Sequence, residues 1–201
     1  MVGFDDLCGL VRSSRTFRRF DEAKKITEGE LLALIDVARF APSGNNLQVL
    51  RYLVMVDEER VSCCFGHHKW AGLLKDFDGP GPGERPVAYI AILVPKGQGS
   101  SPIRNQDAGI AAQTIMLAAR TQGLGGCMVK SFDAGLNADL GLDALGYECV
   151  LLLALGHPCE EVVLEEATAD TGVAYWHDDR GRNHVPKRSV EDLVLRPQEL
   201  T

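Results

Sequence analysis

Apolar positions in the chain fall into short periodic blocks separated by glycine, proline and polar turns. Phe4 to Val11 has the spacing of a short helix. A second helix is better marked. Thr27 and Glu30 form a capping-box pair, and Leu31, Leu34, Ile35 and Ala38 follow at helical intervals. Pro42 stops the pattern, since it has no N–H to continue a helix. Leu50, Tyr52, Val54 and Val56 alternate as in a half-buried strand, and Val87 to Val94 is a continuous apolar run suited to a buried one. The longest helix is expected from about Asp107 to Gln122, with Ile110, Thr114, Ile115, Leu117 and Ala118 inward. Its small residues Ala108, Gly109, Ala111 and Ala112 permit close packing, and Gly123 offers a C-cap. Gly126 to Val129 and Glu148 to Leu155 read as strands, separated by a helix near Ala134 to Leu140.

This order of helices and strands is a mixed α and β chain, which excludes an all-β sandwich and a helix bundle. No repeat or long linker interrupts it, so one domain over residues 1–201 is expected. Gly79-Pro80-Gly81-Pro82-Gly83 can be neither helix nor central strand and should be a stiff surface loop. Trp70, Leu73 and Leu74 precede it, an apolar cluster on a connection expected to move, with the glycine-proline loop a candidate lid.

Composition adds little beyond an ordinary globular domain: 201 residues, 45% hydrophobic and 24% charged. The formal net charge of −7 argues against nucleic acid as a partner. The first ten residues carry Asp5 and Asp6 and lack the basic start and apolar run of a signal peptide. No stretch approaches the ~20 apolar residues of a membrane span. Six cysteines (Cys8, Cys63, Cys64, Cys127, Cys149, Cys159) are too sparse for a disulfide framework. A reduced, cytoplasmic chain with no membrane partner is the expectation.

Charge is unevenly placed. Arg12, Arg15, Arg18 and Arg19 crowd into eight residues of an acidic chain, and arginine forks bind phosphate oxygens in pairs. The plain alternative is a solvated face paired with Asp21 and Glu22. Lys187-Arg188 is a second basic island. Between the second helix and the first strand, Ala41-Pro42-Ser43-Gly44-Asn45-Asn46-Leu47-Gln48 gathers three side-chain amides. Amides offer both donor and acceptor, as the pyrimidine edge of a flavin does; the plain alternative is an ordinary turn.

Cys63-Cys64-Phe65-Gly66-His67-His68 holds four potential zinc ligands. In a strand, adjacent ligands point apart and cannot close one tetrahedron, so no metal site is expected. No G-x-G-x-x-G, P-loop or H-E-x-x-H pattern is present, which disfavours a Rossmann nicotinamide site, a P-loop NTPase and a zincin. Cys127 and His157 have no local signature of a nucleophile pair.

The segments Arg15-Thr16-Phe17-Arg18-Arg19-Phe20-Asp21 and A-P-S-G-N-N-L-Q at 41–48 resemble the N-terminal signatures of the FMN-dependent nitroreductase family. The resemblance continues, in the family's order, through Gly109-Ile110-Ala111-Ala112-Gln113, Gly123-Leu124-Gly125-Gly126-Cys127, Leu155-Gly156-His157-Pro158 and Val185-Pro186-Lys187-Arg188-Ser189. It implies an α+β fold with a central, mostly antiparallel sheet flanked by helices, in an intertwined homodimer. It implies that Arg15, Thr16 and Arg18 meet the FMN phosphate, ribityl chain and ring edge, with Lys187 and Arg188 closing on the phosphate. Pro42, Ser43, Gly44, Asn45, Asn46 and Gln48 would meet the isoalloxazine from the other subunit. Gly125 and Gly126 would let the backbone approach the flavin, where a Cβ would crowd it. The loop bearing Trp70 would lie near the substrate.

Two departures stand out: Ser14 occupies a position where many members carry a phosphate-binding arginine, and Val49 follows Gln48 where proline is common. The implied activity is transfer of hydride from NADH or NADPH through FMN to a nitroaromatic, quinone or similar acceptor in two half-reactions. The flavin does the chemistry, so no catalytic acid or base is assigned. A flavin-storage module without turnover remains an alternative, as does a flavoenzyme of the same fold that dehalogenates or oxidises a cofactor or peptide precursor.

Overall fold

The computed structural model describes residues 2–72, 74 and 77–196, so Leu73 of the expected apolar cluster lies outside the described residues. The described residues divide into two compact units, 2–70 with 79–159, and 71, 72, 74, 77 and 78 with 160–196.

The first unit holds α1 (Phe4–Ser13), α2 (Glu28–Ala38), a single 3-10 turn (Gly44–Asn46), β1 (Arg51–Met55), α3 (Glu58–Gly66), β2 (Ala88–Pro95), α4 (Pro102–Thr121), β3 (Gly125–Val129), α5 (Gly135–Asp139) and β4 (Tyr147–Gly156). Its strands form one sheet in the order β1-β2-β4-β3, with every neighbouring pair antiparallel. This is the α+β architecture the resemblance implied. The central strands β2 and β4 are buried on both faces, which is why they read as continuous apolar runs rather than alternating ones. Ile90 pairs with Val54 on one side and Leu153 on the other.

Alternate residues of β2 serve different layers. Ile90, Ile92 and Val94 join Leu31, Leu34, Ala112 and Ile115 of α2 and α4 in the main core. On α2 the expected capping box is formed: the Glu30 N–H donates to Thr27 Oγ1 at 3.2 Å, and the Thr27 N–H to Glu30 Oε2 at 2.8 Å. Each fully buried leucine that follows contributes about 1.5–3 kcal/mol.

Two elements differ from the sequence expectation. The long helix α4 starts at Pro102, which suits a first-turn position because its missing N–H would have no helical partner there. Its buried face is Ala108, Ala111, Ala112, Ile115, Met116 and Ala119, while Ile110 stays 40% exposed and Thr114, Leu117 and Ala118 are half-buried. Small side chains, not the bulkiest ones, select the inward face, because they let α4 approach α2 and the sheet closely. The second difference is α3. The segment carrying the Cys-His cluster is helical, not extended, and is capped by Asp57, whose carboxylate accepts from the Arg60 N–H at 2.9 Å.

The loop at 79–83 is less superficial than expected. Pro80 is buried, and the Gly83 N–H donates to Glu22 Oε2 at 2.6 Å. Gly79, at φ 122°, leaves room for Trp70, whose Cδ1 would stand 2.5 Å from a Cβ there.

The second unit holds β5 (Val162–Glu166), β6 (Trp176–His177), β7 (Asn183–Lys187) and α6 (Val190–Leu193). Its sheet runs β5-β7-β6, with β5 parallel and β6 antiparallel to β7. His184 centres this unit: it stacks on Trp176 with ring centroids 4.2 Å apart, and its ring nitrogens meet Glu165 and, at 3.2 Å, Asp178. None of these three strands was anticipated. Among the described residues, which include all six cysteines, there is no disulfide, and no helix is long and apolar enough to cross a membrane.

Candidate functional site

Residues 15–21 leave α1 and run as an extended strap along the end of the sheet. Thr16 makes a parallel bridge to Gly126, the Phe17 N–H donates to the Gly126 carbonyl at 3.0 Å, and the Asp21 N–H donates to the His157 carbonyl at 2.8 Å. Phe17 and Phe20 turn into the protein and are buried. Each lies over a glycine. A Cβ at Gly125 would stand 2.5 Å from Phe17 Cδ2, and one at Gly156 would stand 2.6 Å from Phe20 Cδ1. Gly126 is tighter still, since its Cβ would fall 2.3 Å from the Ala154 carbonyl oxygen. Gly125 and Gly126 therefore have an internal reason to be glycine, independent of any ligand.

Anchoring the phenylalanines leaves Arg15, Thr16 and Arg18 on the outer side, exposed or half-buried. Arg15 and Thr16 line a cleft of about 220 Å³ together with Ser14, Gln113, Met116, Gly126 and Met128. No carboxylate is among these residues. Arg15 Nη2 donates to the Val11 carbonyl at 2.7 Å, while its buried Nε has no hydrogen-bond partner. Burial lowers the Arg15 pKa, the sign of a cation held partly out of water. Ser14 donates to the Met116 carbonyl at 3.5 Å, at the back of the same cleft. Arg18 is not among the lining residues, and Arg19 faces Glu84 at 3.7 Å.

The amide segment forms a tight loop with unusual backbone. Asn45, Asn46 and Gln48 have φ of 52°, 54° and 47°, a left-handed conformation. Asparagine tolerates that region; glutamine there costs on the order of 1–3 kcal/mol. The surroundings hold the loop in shape. The Gly44 N–H donates to the buried carboxylate of Asp107 at 2.8 Å, the Gln48 N–H to Ser43 Oγ at 3.2 Å, and Arg51 Nη1 to the Leu50 carbonyl at 2.8 Å. A Cβ at Gly44 would come 2.3 Å from Ile103 Cδ1. The amides of Asn45, Asn46 and Gln48 are consequently exposed at the tip. Pro42, Ser43 and Gln48 border a second cleft, of about 210 Å³, backed by Asp107 and Ala111.

The strap and the loop thus meet the same helix at different levels. Asp107 and Ala111 back one cleft, Gln113 and Met116 the other. Asp107 and Met116 stand about 13 Å apart along α4 at 1.5 Å per residue. Trp70 is buried in an aromatic cluster, with His68 4.6 Å and Phe65 5.9 Å away by ring centroids, and its Nε1 has no hydrogen-bond partner. Lys187 ends β7 and Arg188 follows it, both in the second unit, where Arg188 borders a hollow with Thr168, Gly172 and Asp192.

Three contributors escaped the sequence reading: Asp107 and Arg104, which pair at 3.3 Å beneath the loop, and Gln113, which lines the arginine cleft. Asp107 carried a signal, being an acidic residue four positions before Ala111 on a face otherwise made of small apolar residues.

A family model described as nitroreductase family matches residues 11–157. No curated protein matches the sequence. Among solved structures, a protein of Desulfovibrio desulfuricans described as a nitroreductase in complex with FMN is 21% identical, with a TM-score of 0.67 over 94% of this chain and 95% of that one. One of Exiguobacterium sibiricum, described in the same terms, is 20% identical, with a TM-score of 0.63 over 77% of this chain and 89% of that one. A protein of Clostridium acetobutylicum described as an NADH oxidase is 21% identical, with a TM-score of 0.59 over 74% of this chain and 87% of that one. At these identities the likeness is one of fold.

Proposed function

Since the chain belongs to the nitroreductase family, we propose that it is a flavoprotein oxidoreductase that holds FMN and passes hydride from NADH or NADPH to a small acceptor such as a nitroaromatic or quinone. The observation that carries this reading is the arginine cleft, lined by Arg15, whose buried Nε has no partner, and by no carboxylate. An orphaned guanidinium N–H calls for an anionic oxygen. A flavin phosphate supplies one, so the residues fit the group.

Bound there, FMN would supply the capacity to take up hydride and give it away again. The chain's part is placement. Arg15 and the Thr16 hydroxyl would hold the phosphate, and the family pattern adds Lys187 and Arg188 as further cations for it. Arg18, close by in the strap, would supply a cation toward the ring edge, where positive charge favours the anionic, reduced state. The amides of Asn45, Asn46 and Gln48 match the donor and acceptor pattern of the pyrimidine edge, and Pro42, Ser43 and Gly44 fix the turn that presents them. Gly125 and Gly126 keep the strap seated, and the connection carrying the buried Trp70 would lie near the acceptor.

The loop and the strap lie on opposite sides of an exposed stretch of α4 that includes Ile110. Two copies of the chain paired across that stretch would bring the loop of one to the strap of the other, so the working form is a homodimer.

The deciding experiment is the absorption spectrum of the purified protein, followed by anaerobic titration with NADH and then NADPH. Flavin absorbance that bleaches with either supports the assignment. A protein that never takes up FMN overturns it. FMN bound but never reduced by a nicotinamide would reduce the protein's role to storage.

A further inference from the structure

We propose that Cys63, His67 and Asp139 bind a zinc-like divalent cation that ties the end of α3 to α5. The three donor atoms already lie within 4.8 Å of one another. In a tetrahedral zinc site donors stand about 3.3–3.6 Å apart, so closure needs movements of roughly 1 Å. Asp139, exposed at the end of α5, has the freedom to make them.

The helical form of α3 is what creates the set. On a helix, residues four apart share a face, so Cys63 and His67 present ligands to the same side, as paired zinc ligands on helices do. His67 is the C-cap of α3 and keeps helical dihedrals, with φ −90° and ψ −5°. The other two candidates turn inward. Cys64 is buried and donates to Met55 Sδ at 3.5 Å, and His68 is buried against the Tyr89 hydroxyl at 3.1 Å.

The imidazole is oriented as a metal-binding histidine usually is. Its Nδ1 meets Asp133 Oδ1 at 2.9 Å, and its Nε2 points to Asp139 Oδ2 at 2.9 Å. A carboxylate on the far nitrogen fixes the tautomer and leaves the near one for the cation. Asp133 is itself held by the Gly135 N–H at 2.8 Å. Gly135 also makes space for the ring, because a Cβ there would lie 3.1 Å from His67 Cε1.

One thiolate sulfur, one imidazole nitrogen and one carboxylate oxygen suit zinc(II) better than magnesium or calcium, which prefer oxygen alone. Coordination releases the Cys63 thiol proton and the proton between His67 Nε2 and Asp139, and water completes the tetrahedron. The cysteine and aspartate charges neutralise the ion. None of these residues belongs to the flavin cleft, so the inference does not depend on the proposed oxidoreductase activity.

The test is titration of the full-length, reduced, chelator-treated protein with cobalt(II), a spectroscopic stand-in for zinc. Expected are one cobalt per chain, tetrahedral visible bands, a thiolate-to-cobalt charge-transfer band, and loss of colour when zinc displaces the cobalt. Cys63→Ser should abolish the charge-transfer band, and His67→Gln and Asp139→Asn should each weaken binding at least tenfold. Zinc should raise the melting temperature of the parent protein but not of these variants. Cys159→Ser, at an exposed thiol elsewhere, should change nothing. Absence of the bands in the parent overturns the site, as does a spectrum that survives Cys63→Ser or vanishes with Cys159→Ser. Should Cys63→Ser fail to fold by circular dichroism, unchanged cobalt affinity in both His67→Gln and Asp139→Asn overturns it equally.

Discussion

The backbone N–H of Gly44 donates to the carboxylate of Asp107, 63 positions later in the chain, at 2.8 Å. Asp107 is 4% exposed and also meets Arg104, so one buried carboxylate ties the left-handed amide loop to α4. Removing it leaves the Gly44 N–H without its acceptor and Arg104 with only Gln98 Oε1, at 3.3 Å, among the described residues to accept from it. Asp107→Ala should cost about 1.5–3 kcal/mol, the range for a hydrogen bond to a charged group. Asp107→Asn keeps an oxygen for Gly44 and should cost less. Urea unfolding midpoints of the two variants check the order.

Glycines in this chain divide by what surrounds them. A Cβ at Gly126 would fall 2.3 Å from the Ala154 carbonyl, a backbone atom that β-pairing holds in place, whereas nothing lies within 4 Å of one at Gly9. Gly126→Ala should therefore destabilise by about 1–3 kcal/mol or more through overpacking. Gly9→Ala, in the middle of α1, should stabilise by about 0.5–1 kcal/mol, because alanine loses less backbone freedom. Thermal melting of the pair, alike in chemistry and opposite in sign, separates local crowding from a general need for glycine.

Arg15 should matter to ligand retention more than to folding. Its Nε has no partner, so truncation removes a group already under-satisfied. Arg15→Ala should weaken FMN binding about tenfold to a hundredfold, equivalent to one charged hydrogen bond. Arg60→Ala breaks only an exposed pair with Asp57 and should leave FMN affinity unchanged. Equilibrium dialysis or fluorescence titration with FMN reads the difference.

The His184 triad sets a pH window for the second unit. Hydrogen bonding to Glu165 raises the His184 pKa against an opposing desolvation, and Asp178 adds to the rise. Desolvation works against the charged form of Asp178, but hydrogen bonds from Arg182 and His184 prevail and hold its pKa down. The raised histidine stabilises fully below its unfolded pKa of about 6.5 and ceases to do so as pH climbs through its folded value. The depressed aspartate stabilises above its unfolded pKa of about 3.9 and loses that effect as pH falls. Trp176, stacked on His184, should report an unfolding midpoint that falls as pH rises above about 6.5 in a Trp70→Phe background. His184→Gln should flatten that fall.

What the sequence reveals depends on how local the cause is. Thr27 and Glu30 announce α2 because the capping pair is three residues apart, and β2 announces itself because burial on both faces leaves no polar position from Val87 to Val94. The inward face of α4 is hidden because Ala108, Ala111 and Ala112 carry little hydrophobic signal beside the exposed Ile110. α3 is short and holds three charged residues, so only the cap at Asp57 marks it. β5 and β7 contain Glu165, Glu166 and Pro186, which read as loop until their partner strands are known. The candidate site is similar: its residue types stand in the sequence, but the left-handed shape of Asn45 to Gln48 depends on a carboxylate one helix away.

The exposed apolar faces of α1 and α4 make the proposed dimer testable. No residue of α1 is buried, yet Phe4, Leu7 and Val11 share one face at i, i+3 and i+7 and are 80%, 46% and 40% exposed. Ile110 adds an exposed apolar residue to α4 beside Gly109, Gln113 and Thr114. α1 packs against α4 yet keeps this apolar face open to a further partner, and each such side chain contributes about 1.5–3 kcal/mol when fully covered. Leu7→Asp and Ile110→Asp place a charge in that contact. Sedimentation should find the parent protein at about twice its 21.9 kDa chain mass and each variant shifted toward the single chain. FMN should be lost in parallel, because the loop of one copy then no longer reaches the strap of the other. A parent protein that sediments as one chain and still retains FMN would place the whole flavin site within a single copy.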